Sequence, residues 1–197
     1  MAGRELPAIL TPATAEQVQD AFIMAWQGQL GHLPEDKQVR VLMAQTALET
    51  QRWQKMIAFS IGGMKCGPEV DHCYYSTTEH LRENIADAYL RQSTPAAPVE
   101  LVSDVGNGVF VIKLMPKHPG CRFRAFETLQ DSCCYHVQEL ANRWPAAWNA
   151  AVDGNSDKFV RELKHGRYFS GDVDVYRKSV NSLFAEFQRL PWPLNAS

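Results

Sequence analysis

The stretch Val41-Leu42-Met43-Ala44-Gln45-Thr46-Ala47-Leu48-Glu49-Thr50 constrains this chain more than any other. Val41, Leu42, Gln45 and Leu48 recur at helical spacing, which predicts an amphipathic or largely buried helix. Glu49 follows the apolar run at its end. A carboxyl held there by a rigid element is partly desolvated. Desolvation disfavours the charged form and raises the pKa of an acid. A general acid that must carry a proton near neutral pH needs that shift. Glu49 also reads as a solvated residue near a helix end, and the stretch alone does not choose.

Length and composition narrow the class. A chain of 197 residues suffices for one domain with a sizeable core, and 45% hydrophobic with 21% charged residues is the balance of an ordinary globular protein. A net charge of -2 gives no electrostatic case for binding nucleic acid or an anionic membrane. No apolar run approaches the ~20 residues of a membrane helix. The start, Met1-Ala2-Gly3-Arg4-Glu5, has no apolar signal core. The expectation is therefore synthesis in the cytoplasm, with some other device carrying the protein out. Cys66, Cys73, Cys121, Cys133 and Cys134 are odd in number, so full internal pairing is impossible. Cys66 and Cys73 flank a loop with His72 and would pair only in an oxidising space. Their spacing matches no metal-ligand pattern, so no metal site is expected.

Turn and cap signals divide the chain. Thr11-Pro12-Ala13-Thr14 predicts a helix over about 13–28, with Val18, Ala21, Phe22 and Trp26 on its apolar face. Glu35 and Asp36 open a second helix that runs to about Trp53, and a short third helix covers 53–58. Phe59-Ser60-Ile61-Gly62-Gly63-Met64-Lys65 is a turn whose glycines permit close backbone approach to a ligand. Residues 74–79 read as a strand and 80–92 as a helix with Leu81, Ile85, Ala88 and Tyr89 on one face. Gly106-Asn107-Gly108 between two β-forming runs predicts a hairpin. Arg122 to Phe126 reads as a short strand. The remainder is helical: Thr128 caps one helix, Pro145 starts another, Asn155-Ser156-Asp157 caps a third over Lys158 to Lys164, and the last spans about 174–189.

Five short stretches in fixed order carry a resemblance. They are 44–50 (AQTALET), 59–65 (FSIGGMK), 77–79 (TTE), 123–129 (FRAFETL), and Leu163, Gly166, Tyr168, Phe169, Asp172 and Tyr176. Together they resemble the flagellar-rod and autolysin-type glucosaminidase domain, glycoside hydrolase family 73, of the lysozyme-like superfamily. The resemblance spans about residues 15–188 and is loose over a variable segment at about 80–118. It implies a single α+β, mainly helical, lysozyme-like domain over 1–197, two-lobed, with a small β region and the substrate in a groove.

The resemblance also implies roles. Glu49 matches the general acid that protonates the glycosidic oxygen. Glu79 matches the Glu of the β-region motif, a second carboxylate in some members; a carboxyl pair about 6.5–9.5 Å apart inverts and one about 5–5.5 Å apart retains. A substrate-assisted route would need Glu79 less. Phe59, Gly62 and Gly63 would form the groove floor. Lys65 is either a ligand contact or a solvated charge, and Tyr168 either lines the groove or is a half-buried structural residue. Trp53 is either a sugar-stacking platform or core, and Tyr176 reads as core. Where the family has Gly after its Glu, this chain has Thr50-Gln51-Arg52-Trp53. The implied reaction is hydrolysis of a peptidoglycan β-1,4 bond beside N-acetylglucosamine, without cofactor, by a monomer. The rivals are a muramidase, a lytic transglycosylase and a non-catalytic glycan-binding module. The implied settings are phage lysis or injection by a secretion machine, the latter with an immunity protein as partner.

Overall fold

The computed structural model describes residues 2–193. As expected, the protein is α+β and mainly helical, with a small β region. The chain divides into two compact units, one of Leu10–Gly62 with Phe126–Ser197 and the other of Met1–Ile9 with Gly63–Ala125. No helix among the described residues is long and apolar enough to cross a membrane.

The first unit is all-helical. Helix α1 spans Ala15–Leu30, two residues later than expected, because Thr14 and Gln17 form a reciprocal capping box. Helix α2 spans Asp36–Glu49, with every residue from Gln38 to Ala47 buried. Of the two sequence readings, largely buried is the right one. Helices α4 (Leu129–Arg143), α5 (Pro145–Val152), α6 (Ser156–His165) and α7 (Val173–Phe187) complete this unit; α1 packs on α4 and α2, and α7 on α2 and α6. Thr128, Pro145 and Asn155 hold the predicted helix-start positions. Arg40 is fully buried in α2, where its guanidinium meets Asp36 at 2.7 Å and Leu190 O at 3.1 Å.

Helix α2 stops at Glu49 rather than near Trp53, and no helix covers 53–58. Gln51, Arg52 and Trp53 all take left-handed backbone, with φ of 51°, 53° and 60°. Thr50 Oγ1 holds the turn by donating to Thr46 O (2.7 Å) and accepting from Trp53 N (3.1 Å). Left-handed backbone costs a residue with a Cβ roughly 1–2 kcal/mol, so Gln51→Gly should raise stability by about 0.5–1 kcal/mol after the extra freedom of the unfolded chain is counted. Denaturant melts read this directly, and a destabilised variant would argue against strain at Gln51.

Besides the strands, the described residues of the second unit hold the α-helix α3 (Glu83–Arg91) and a short 3-10 turn at Pro119–Cys121. Strand β1 (His72–Tyr74) pairs antiparallel with β5 (Arg122–Arg124). Strands β2 (Thr77–Arg82), β3 (Val99–Asp104) and β4 (Val109–Leu114) form an antiparallel sheet ordered β2-β4-β3. The expected hairpin is β3–β4, and Gly106, Asn107 and Gly108 all turn with positive φ, which Gly and Asn tolerate best. Two boundaries differ from expectation. Tyr75-Ser76 interrupts the predicted strand, and His80 to Arg82 belong to β2, paired with Val111 to Val109, rather than to the helix. The inward face of α3 centres on Ala86, leaving Ile85 43% exposed. All five cysteines are free thiols, and burial pushes that of Cys73 up to about 11.

Candidate active site

Gln45 and Glu49 lie four residues apart on α2, so their side chains share one face. The loop after α6 brings Tyr168 to that face, and the first turn of α7 brings Tyr176. The loop is held from within: Lys164 Nζ donates to Ser170 O (2.9 Å) and Gly171 O (2.7 Å), and Asp172 caps α7 by accepting from Asp174 N and Val175 N. Phe169 stacks on Tyr176 with centroids 4.0 Å apart.

The four side chains are joined. The Tyr176 hydroxyl donates to Glu49 Oε1 at 2.7 Å. Gln45 Nε2 donates to the Tyr168 hydroxyl at 2.9 Å and makes a long contact of 3.5 Å with the same Glu49 oxygen. Gln45 itself is fully buried, its carbonyl oxygen without a protein partner. Sequence reasoning gave Tyr176 to the core and assigned Gln45 no role beyond the helix face. The i, i+4 spacing of Gln45 and Glu49 was the available signal for Gln45; nothing local pointed to the Tyr176 hydroxyl.

The electrostatics favour a proton donor. Glu49 keeps solvent access as a residue, yet crowding by protein dominates its carboxyl and raises its pKa above the ordinary value, with the Tyr176 and Gln45 hydrogen bonds offsetting part of that rise. The two facts are compatible: an acid must be open on one side to reach a substrate and crowded on the others to hold its proton. Burial, and then the Glu49 carboxylate, push both tyrosines up, so they remain phenols at neutral pH. Tyr176→Phe removes the shorter of the hydrogen bonds that favour the ionised acid. The protonated form of Glu49 should then persist to higher pH and move the alkaline limb of a pH–rate profile upward, with turnover falling about tenfold, the worth of one hydrogen bond. A limb that stays put or moves down would contradict this assignment.

Trp53 is corrected from platform to core. It is 1% exposed, its ring stacks on Phe187 at 5.3 Å, and its Nε1 donates to Thr46 Oγ1 at 3.2 Å, so no ring face is left for a sugar. Phe59 is half-buried against the helical core, with its N–H donating to Thr11 Oγ1 at 2.7 Å. Gly62 is half-buried; Gly63 is exposed, with a φ of 55° and open space where a Cβ would stand. In the other compact unit, Lys65 Nζ lies 2.6 Å from Glu79 Oε1, to which Thr77 Oγ1 also donates at 3.4 Å. Lys65 is thus the ion-pair partner of Glu79 rather than a bare solvated charge. Among the described residues, no group of three or more His, Cys, Asp or Glu side chains is arranged to hold a metal ion.

The helical unit therefore presents a crowded carboxylic acid fixed by a phenol and an amide, which can deliver a proton to a leaving oxygen. No protein-family model and no curated protein matches the sequence. Among solved structures, the chain is similar to the catalytic domain of the autolysin Auto from Listeria monocytogenes, with 15% identity, a TM-score of 0.45 and coverage of 89% of this chain and 88% of that one. It is also similar to the glycoside hydrolase domain of FlgJ from Salmonella typhimurium, with 11% identity, a TM-score of 0.46 and coverage of 89% of each chain.

Proposed function

We propose that this protein is a peptidoglycan hydrolase that cleaves β-1,4 bonds of the glycan strand as an N-acetylglucosaminidase, with Glu49 as general acid. The observation that carries the reading is the Glu49 carboxyl itself, crowded enough to raise its pKa and held by the Tyr176 hydroxyl. The ordered motifs that end in Tyr168 and Tyr176 support it, since two of those residues join Glu49 in one hydrogen-bonded cluster. Glu49 gives its proton to the glycosidic oxygen as the sugar bond breaks. Tyr176 fixes which carboxyl oxygen keeps the proton, because Oε1 accepts the phenol. Glu79, with Lys65 beside it, is proposed as the second carboxylate on the strength of the family resemblance alone, and Phe59, Gly62 and Gly63 as substrate contacts on the same ground. The whole chain then acts as one monomeric domain in the periplasm or cell wall, delivered by phage lysis or a secretion machine, with an immunity protein as partner in the second case.

The test is digestion of purified peptidoglycan by wild type and Glu49→Gln, with reducing-end labelling and mass spectrometry of the fragments. Reducing N-acetylglucosamine ends from wild type alone support the reading. Reducing N-acetylmuramic acid ends move the protein to a muramidase, and anhydro ends to a lytic transglycosylase. Binding to sacculi without release of fragments makes it a glycan-binding module.

A further inference from the structure

A recess of about 280 Å³ opens on the helical unit, between the start of α5 and the end of α6. Trp144, at the α4–α5 junction, supplies an aromatic wall, and Pro145 and Ala146 extend it with apolar surface, with the buried Ala147 beneath. Arg143, Glu162 and His165 supply the polar rim. The wall is built rather than incidental. Trp144 Nε1 donates to Gly166 O at 3.0 Å, and a Cβ on Gly166 would stand 2.5 Å from the indole. Arg143 lies over the indole at 4.8 Å and is anchored at 2.6 Å by Glu139, whose side chain is only 12% exposed and also accepts the Tyr135 hydroxyl. A guanidinium has five N–H donors, and this anchor uses one Nη1 hydrogen bond.

The recess wall is linked to the acid through packed side chains. The Trp144 indole meets the Tyr168 ring edge to face at 4.9 Å, and the Tyr168 hydroxyl accepts from Gln45, which reaches Glu49. We propose that this recess is a binding subsite for one N-acetylhexosamine ring of the glycan strand, a role that rests on the hydrolase reading above. The volume of about 280 Å³ lies just below the range of ligand pockets, about 300 to 1,000 Å³, so it suits one ring rather than an oligomer. The C–H face of a pyranose packs on the indole and the Pro145–Ala146 surface. Arg143 donates to the acetamide carbonyl, and Glu162 accepts from the acetamide N–H or a hydroxyl. Binding there holds the strand equally in ground and transition states. Loss of the subsite therefore raises KM on long strands and leaves kcat largely unchanged.

Titration of ¹⁵N-labelled Glu49→Gln protein with chitotetraose, read on the indole N–H signals of the tryptophans, tests this. The expected result is a saturable shift of the Trp144 signal, with Trp26 and Trp53 unmoved. Trp144→Ala should weaken binding about three- to tenfold, the worth of an aromatic contact. Because Trp144 also joins two helices, Arg143→Ala is the second variant, with the same direction expected. If the tetrasaccharide shifts signals around position 49 but leaves Trp144 in place, or if neither variant weakens binding, the subsite is wrong and the hydrolase reading stands. If no signal moves and wild type releases nothing from peptidoglycan, both fall together.

Discussion

Glu49→Gln should leave the fold intact and, on the proposed role of Glu49 as general acid, lower turnover on peptidoglycan by about 10²–10⁴-fold, the range for a lost general acid. Glutamine keeps an oxygen to accept the Tyr176 hydroxyl at the position where Oε1 accepts it now, but has no acidic proton to give. The same substitution has a second, opposite signature in stability. Glu49 has its folded pKa raised, chiefly by desolvation. At pH below the unfolded carboxylate value of about 4.3, both states are protonated and the residue contributes no difference. As pH rises through that value toward the higher folded one, the unfolded chain ionises first and stability falls; the loss is complete above the folded pKa. The amide of the Glu49→Gln variant does not titrate and escapes that loss. Wild type and variant should therefore match in urea melts at acid pH, and the variant should be the more stable at neutral pH. A variant less stable than wild type at neutral pH would show that the carboxylate is stabilised rather than crowded, and would remove the physical case for Glu49 as the acid.

Trp53→Ala should cost about 3–5 kcal/mol, the range for emptying a buried aromatic site. The ring is sealed against Phe187, and its removal also takes away the N–H that the Thr46 hydroxyl accepts, leaving that hydroxyl its donor bond to Leu42 O. The turn that buries Trp53 also begins directly after the acid, so its loosening reaches Glu49 through Thr50 and Thr46. In a protein of this size each kcal/mol is worth roughly 2–4 °C, so Tm should drop by roughly 10 °C, with activity lost in parallel. A variant that kept its Tm and lost only affinity for glycan would restore Trp53 to the substrate surface.

Much of this was legible because the relevant forces are local. Helix starts were readable at Thr128 and Asn155, whose side chains satisfy orphan backbone donors within three residues, whereas the Thr14 cap shifts α1 two residues from its expected start. The β3–β4 hairpin was readable because Gly106-Asn107-Gly108 permits the positive φ values that such a turn needs. Glu49 was readable as a candidate because the ordered motifs single it out, although an acid at the end of an apolar helical run is by itself as readily a solvated residue.

Other features were settled by partners distant in sequence. Helix α2 ends short of where its pattern suggests because α7, more than a hundred residues later, draws Trp53 under Phe187 and holds Arg52 by Glu186 at 2.8 Å. Residues 80–82 read as helical by spacing, but β4 pairs with them and makes them strand. Tyr176 has the periodicity of a core residue, and only the packing of α7 on α2 turns its hydroxyl onto Glu49. Sequence by itself marked the helix starts at Thr128, Pro145 and Asn155, the hairpin, and Glu49 as a candidate acid, since caps, turns and burial patterns act over a few residues. Tertiary structure alone decided where α2 stops, which tryptophan is core, and which phenol and amide hold the acid, because hydrogen bonds and desolvation depend on what is brought near in space rather than along the chain.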